Sequence, residues 1–126
     1  MPDTRVRDWV TTQNTESFHL SVITVGELRK GVSLLPQSKR KRQLEEWLEV
    51  YLLPLFSTRI LPVTQSIADR WGILSAGRQQ RGMPLSMADG LIAATALEYN
   101  LTLVTRNSKD FSGLGLKSIN PWENQP

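Results

Sequence analysis

The chain has 126 residues, 40% of them apolar, with 15 Lys and Arg against 12 Asp and Glu for a net charge of +3. A domain of this length buries roughly two-thirds of the surface its unfolded chain exposes, enough for one core, and an excess of +3 permits a polyanionic partner without requiring one. The absence of cysteine excludes disulfides, Cys-ligated zinc and thiol catalysis and fits a reducing cytoplasm; the longest apolar run, Leu91–Leu97, falls far short of the ~18 residues of a membrane span.

Met1 to Asp8 is too charged for a signal-peptide core, so a cytoplasmic protein is expected. Val6, Trp9 and Val10 recur at helical spacing and predict an amphipathic helix from Asp3 to about Gln13. Phe18–Ile23 reads as a short strand, and Thr24-Val-Gly-Glu27 matches a capping box opening a helix to Leu34, before the break at Pro36. Ser38 is the next expected N-cap, and Leu44, Trp47, Leu48, Tyr51 and Leu52 give an apolar stripe ending at Pro54. Arg59–Val63 is a strand whose Pro62 places it at an edge or end. Thr64 opens a helix with Ile67, Trp71 and Leu74 inward, Gly82-Met-Pro84 is a loop, and Ser86-Met-Ala-Asp89 is a second capping box, with Asn100 as helix stop. Leu101–Thr105 is a β-rich run, Arg106–Asp110 a polar turn, and Leu116–Ile119 a last strand. This alternation predicts an α/β fold, a parallel sheet flanked by helices, in a single domain over 1–126. Ligand sites in such sheets lie beyond the carboxyl ends of the strands.

Glu27, Asp89 and Asp110 fall at such ends. Glu27 and Asp89 each follow a Thr or Ser by three residues, so both fit helix caps, favoured by the helix dipole by ~0.3–1 kcal/mol. The other reading is a carboxylate cluster held by a hard divalent cation that activates water for phosphate hydrolysis. Periodicity alone leaves both open.

Three segments, Ser21-Val-Ile-Thr-Val-Gly-Glu-Leu-Arg-Lys-Gly31, Met87-Ala-Asp-Gly-Leu-Ile-Ala-Ala-Thr-Ala96 and Leu103-Val-Thr-Arg-Asn-Ser-Lys-Asp-Phe111, resemble the PIN-domain ribonucleases, above all the VapC- and FitB-like toxins of bacterial toxin–antitoxin pairs. Leu53–Pro62 and Asn120-Pro-Trp122 share the likeness, which runs from about Arg5 to Trp122. It implies a PIN-like three-layer fold and a Mg²⁺- or Mn²⁺-dependent endoribonuclease. It also implies an RNA substrate, a cognate antitoxin laid across the acidic groove, a homodimer or higher homo-oligomer, and no membrane. Glu27 matches the acidic residue after the family's second strand, and Asp89 the Asp of its Ala-Asp-x-x-Ile-Ala-Ala helix. Asn107 and Asp110 occupy the two positions where the fourth acidic role is found, and Thr105 matches the small hydroxyl residue of that motif.

The family begins with a buried strand ending in Asp-Thr-Asn, whereas Pro2–Trp9 matches the helix that follows it. The resemblance therefore implies an N-terminally truncated PIN domain, with the Phe18–Val22 and Leu101–Thr105 strands left either apart or paired directly. It also implies an alternative function, a catalytically inactive PIN remnant that binds antitoxin or RNA. Asp3 and Asp8 belong to a charged helical surface and do not take the missing role.

Arg78, Arg81 and Arg106 flank the loop and strand end nearest these acids and are the candidate RNA-phosphate contacts, through bidentate guanidinium pairing. Lys39–Arg42 reads as a solvated face, and His19 as structural. Trp9, Trp47 and Trp71 belong to packing, and no Ser/His/Asp set or phosphate loop is present.

Overall fold

The computed structural model describes residues 4–123. Asp3, the expected start of the first helix, lies outside them. Two compact units make up the chain: His19–Val63, and a second that runs to Phe18 and resumes at Thr64. No helix among the described residues is long and apolar enough to cross a membrane.

In the His19–Val63 unit, strand β1 (Leu20–Ser21) passes directly into helix α2 (Val22–Ser33). Ser21 is the N-cap, its Oγ accepting the Ile23 N–H at 3.0 Å. The cap therefore lies three residues ahead of the expected Thr24, and the predicted strand shrinks to two residues. The β-branched run Val22-Ile-Thr-Val25 has strand propensity, but propensity is a weak prior that tertiary context and a satisfied cap override. Helix α3 (Lys39–Glu46) starts at Ser38 as predicted, the Ser38 Oγ accepting from the Lys41 N–H at 3.1 Å.

A π-helical stretch, Trp47–Leu52, carries α3 into the single turn α4 (Leu53–Leu55). Pro54 has no N–H to continue an α ladder, and the ladder widens just before it. Leu48 is fully buried here, with Leu44 and Leu52 half-buried, while Trp47, Tyr51 and Leu55 are exposed, so the unit buries a narrower stripe than the sequence pattern offers. Strand β2 (Ile60–Leu61) ends at Pro62 and pairs in parallel with β1, Leu20 opposite Ile60.

The other unit holds α1 (Thr4–Thr11), whose Trp9 ring stacks on Phe18 with centroids 5.8 Å apart. Helix α5 (Gln65–Gln80) is capped by Thr64, and α6 (Met87–Glu98) by Ser86. Strand β3 (Leu103–Val104) pairs in parallel with β4 (Ser118–Ile119). Where one continuous sheet was expected, the described residues form two parallel pairs, β1 with β2 and β3 with β4.

Helix α6 is apolar on nearly every side. Gly90, Leu91 and Ala93 to Ala96 are all buried, which makes it the central element of this unit. Ala93 packs with Phe111 and Leu114, and Leu74, Leu85, Leu103 and Leu116 close around them. Asn100 adopts the left-handed conformation (φ 53°) that ends the helix, as its sequence position predicted.

Small residues let α6 lie close to α5. A Cβ at Gly90 would sit 2.7 Å from Trp71 Cδ1 and 2.8 Å from Trp71 Nε1, distances that side chains do not tolerate. Ala is the better helix former by up to ~1 kcal/mol, so an exposed Gly→Ala change would stabilise. At Gly90 the sign reverses. Forced overpacking costs ~1–3 kcal/mol, and Gly90→Ala is expected to lower the denaturant midpoint with the m-value unchanged. An unchanged or raised midpoint would show that Trp71 has room to move.

Candidate active site

Asp89 sits at the third position of α6. The Ser86 Oγ accepts the Asp89 backbone N–H at 3.1 Å, so Ser86 supplies the cap without using the Asp89 carboxylate. That carboxylate is half-buried at the positive end of the helix and has no hydrogen-bond or ion-pair partner among the described residues.

The second acid is placed by the end of β3. Thr105 continues the ladder, its N–H donating to Ile119 O at 3.0 Å. Its Oγ1 accepts the Asn107 N–H at 3.1 Å, and Asn120 Nδ2 donates to Arg106 O at 2.9 Å, which together turn the chain out of the strand. A 3₁₀ turn, Ser108–Phe111, follows, with the Asp110 N–H on Asn107 O at 3.0 Å. Phe111 anchors this turn in the core, leaving the side chains of Asn107 and Asp110 exposed.

Glu27 belongs to the other unit. With Ser21 as cap it lies in the second turn of α2, exposed, and so is not a capping-box residue. The capping-box reading that the sequence allowed for Glu27 is thereby removed, whereas at Asp89 the Ser86 half of the box forms, through the Asp89 backbone N–H.

Arg78 departs from expectation. It is 7% exposed, its Nε donating to Met83 O at 2.8 Å and its Nη1 to Asp110 O at 3.2 Å. Buried and committed to carbonyls, it is not available to RNA phosphates. Its place was legible: Ile67, Trp71, Leu74 and Arg78 follow one another at spacings of four, three and four, so Arg78 continues the inner face of α5. Arg81 is exposed at the end of α5, and Arg106 is exposed with its guanidinium carbon 5.7 Å from the centre of the Trp122 ring.

Oxygen donors from Asp89, Asp110, Asn107 and Thr105 are of the kind that hard divalent cations take. Among the described residues, no three His, Asp or Glu side chains gather closely enough to hold a metal ion. Mg²⁺ is commonly held by one or two carboxylates, with waters and substrate phosphate completing its shell.

Residues 3–115 match the PIN domain. The chain is 41% identical over 122 residues to the plasmid stability protein StbB of Pseudomonas syringae pv. tomato, covering 97% of this chain and 88% of that protein. It is 40% identical to toxin FitB of Neisseria gonorrhoeae, over 96% of this chain and 87% of that one. With the VapC ribonuclease Y4jK of Sinorhizobium fredii it shares 38% identity, over 97% and 87%. Its fold superposes on FitAB bound to a DNA fragment with a TM-score of 0.92 at 36% identity, covering 100% of this chain and 88% of that one. Against FitAcB from N. gonorrhoeae the TM-score is 0.90 at 40% identity, over 98% and 89%.

Proposed function

This chain belongs to the PIN-domain family, and from that premise we propose that it is the toxin of a toxin–antitoxin pair, a Mg²⁺- or Mn²⁺-dependent endoribonuclease working in the cytoplasm. The observation that carries the reading is the state of Asp89 and Asp110. Both stand on elements fixed by caps and core packing, in one compact unit, and both carboxylates are uncommitted among the described residues. Relatives named as a toxin and as a VapC ribonuclease support it, and solved complexes of such toxins with their antitoxins support a cognate antitoxin as partner.

Asp89 and Asp110 would hold the cation, with Asn107 and Thr105 beside Asp110. Bound there, it supplies an activated water and offsets charge at the scissile phosphate. The chain's own part is to fix two carboxylates without spending them on internal hydrogen bonds. Glu27 is proposed as a further acidic group on its motif, with mutation as the test. Arg81 and Arg106 bind flanking phosphates. Arg106→Ala is expected to weaken RNA binding across sequences and reduce the salt slope of log K by about 0.7, the single-strand value for one phosphate contact. An unchanged slope removes Arg106 from the interface.

The metal requirement is tested by incubating the protein with cellular RNA in Mg²⁺ or Mn²⁺, and again in excess chelator. Cleavage that appears with metal and stops with chelator is the expected result; undiminished cleavage in chelator overturns the mechanism. One observation favours the alternative, a PIN-fold binding module without catalysis: three acidic side chains do not converge among the described residues. Antitoxin or RNA binding with no cleavage under any divalent metal would establish that alternative.

A further inference from the structure

Arg78 is the one buried charged side chain among the described residues. No carboxylate pairs with it there, so its charge is met by main-chain carbonyls. A buried cation is costly unless hydrogen-bonded, and an apolar side chain would fill the same space at lower cost. Its two bonds reach two different segments. Met83 lies in the loop that leads to Ser86 and Asp89, and Asp110 lies in the 3₁₀ turn after β3.

The near end of this link is itself locked. Gly82, at φ 71°, ends α5 in the left-handed conformation, the Gly82 N–H donates to Gln79 O at 3.0 Å, and the Met83 N–H donates to Arg78 O at 2.9 Å. This pattern is a Schellman motif, and only Gly takes that φ without strain. Arg78 thus accepts from Met83 through its backbone and donates to Met83 through its side chain. The remaining arm of the guanidinium is left to hold Asp110.

From this geometry we infer that Arg78 is a positioning residue: its fork ties the loop leading to α6 to the Asp110 turn and so fixes the two acid-bearing segments against each other. The inference rests on reading Asp110 as an acidic group of the ribonuclease. A planar fork spans two carbonyls in fixed directions, which the point charge of Lys does not.

The test compares Arg78→Met and Arg78→Lys with the unaltered chain, alongside Asp110→Asn. Amide hydrogen exchange at Asp110 and Ser112, whose N–H groups close the 3₁₀ turn, is expected to speed up ~10-fold or more in Arg78→Met. Exchange at Ala93–Ala96 in α6 should be unaltered. With RNA substrate, kcat is expected to fall ~10²-fold, the scale of a roughly 1 Å misplacement, while KM stays within about 2-fold because a positioning residue does not touch substrate. Arg78→Lys should recover part of the kcat loss, and it replaces Arg78→Met in every measurement if the latter does not fold. Wild-type exchange at Asp110 and Ser112, or a raised KM with kcat intact, overturns the inference. If Asp110→Asn retains full cleavage while Arg78→Met still speeds exchange, it is the assignment of Asp110 that fails, and the tether stands.

Discussion

Asp89→Asn is expected to all but abolish RNA cleavage and to leave the fold in place. The substitution keeps the backbone N–H that donates to Ser86 Oγ, so the N-cap of α6 survives. It removes one negative charge from the first turn, which costs ~0.3–1 kcal/mol of helix-dipole interaction, a small part of a domain's 5–15 kcal/mol. At the proposed metal site the same change would replace a charged ligand with a neutral one. Divalent cations supply several kcal/mol of charge stabilisation in phosphate hydrolysis, and each 1.36 kcal/mol is tenfold in rate, so a fall of ~10²–10³-fold is expected. The two halves separate the two readings of this residue. Circular dichroism and a denaturant melt check the fold, and cleavage at saturating Mg²⁺ or Mn²⁺ checks the chemistry. A folded Asp89→Asn protein that cuts RNA at the original rate leaves Asp89 as a favourable charge in the first turn of α6 and nothing more.

The largest loss of stability is expected from Phe111→Ala. Phe111 is buried against Ala93 and Leu114, and Leu74, Leu85, Leu103 and Leu116 line the space around it. Ala93, which packs against Phe111 from α6, carries only a methyl group and cannot fill the hole. Truncating a buried Phe costs ~3–5 kcal/mol, which consumes a large fraction of a marginal domain's stability. Phe111 also ends the 3₁₀ turn that presents Asp110. Cleavage should therefore fall further than the unfolded fraction accounts for, at temperatures where the protein is still folded. Phe111→Leu, which keeps most of the volume, is expected to cost under ~1.5 kcal/mol and to restore most of the activity. A Phe111→Ala protein as stable as the original would mean that this cluster is not the core of its unit.

The sequence by itself determined the elements whose signals are local. Ser38, Thr64 and Ser86 were readable as N-caps, because a hydroxyl accepting an amide two or three residues on is a short-range interaction. Asn100 was readable as a helix stop, because few side chains tolerate its positive φ. The α/β class and the family were legible too, the latter from motifs at Glu27, Asp89 and Asp110.

Tertiary structure decided the rest, where two signals competed or where distance along the chain hid the partner. Thr24 was the expected cap and Ser21 part of the expected strand; β1 pairs with β2 forty residues away, which holds Leu20 and Ser21 extended and leaves Ser21 to open α2. That choice moved Glu27 off the cap. Arg78 looked like a surface cation because charge dominates such a reading. Its burial was readable from the inner face of α5, but the Met83 and Asp110 carbonyls that accept its protons were not, since no local pattern announces an acceptor in a later turn. The contact of Gly90 with Trp71 was hidden for the same reason, since close approach of two helices is a property of the packed pair and not of either sequence segment.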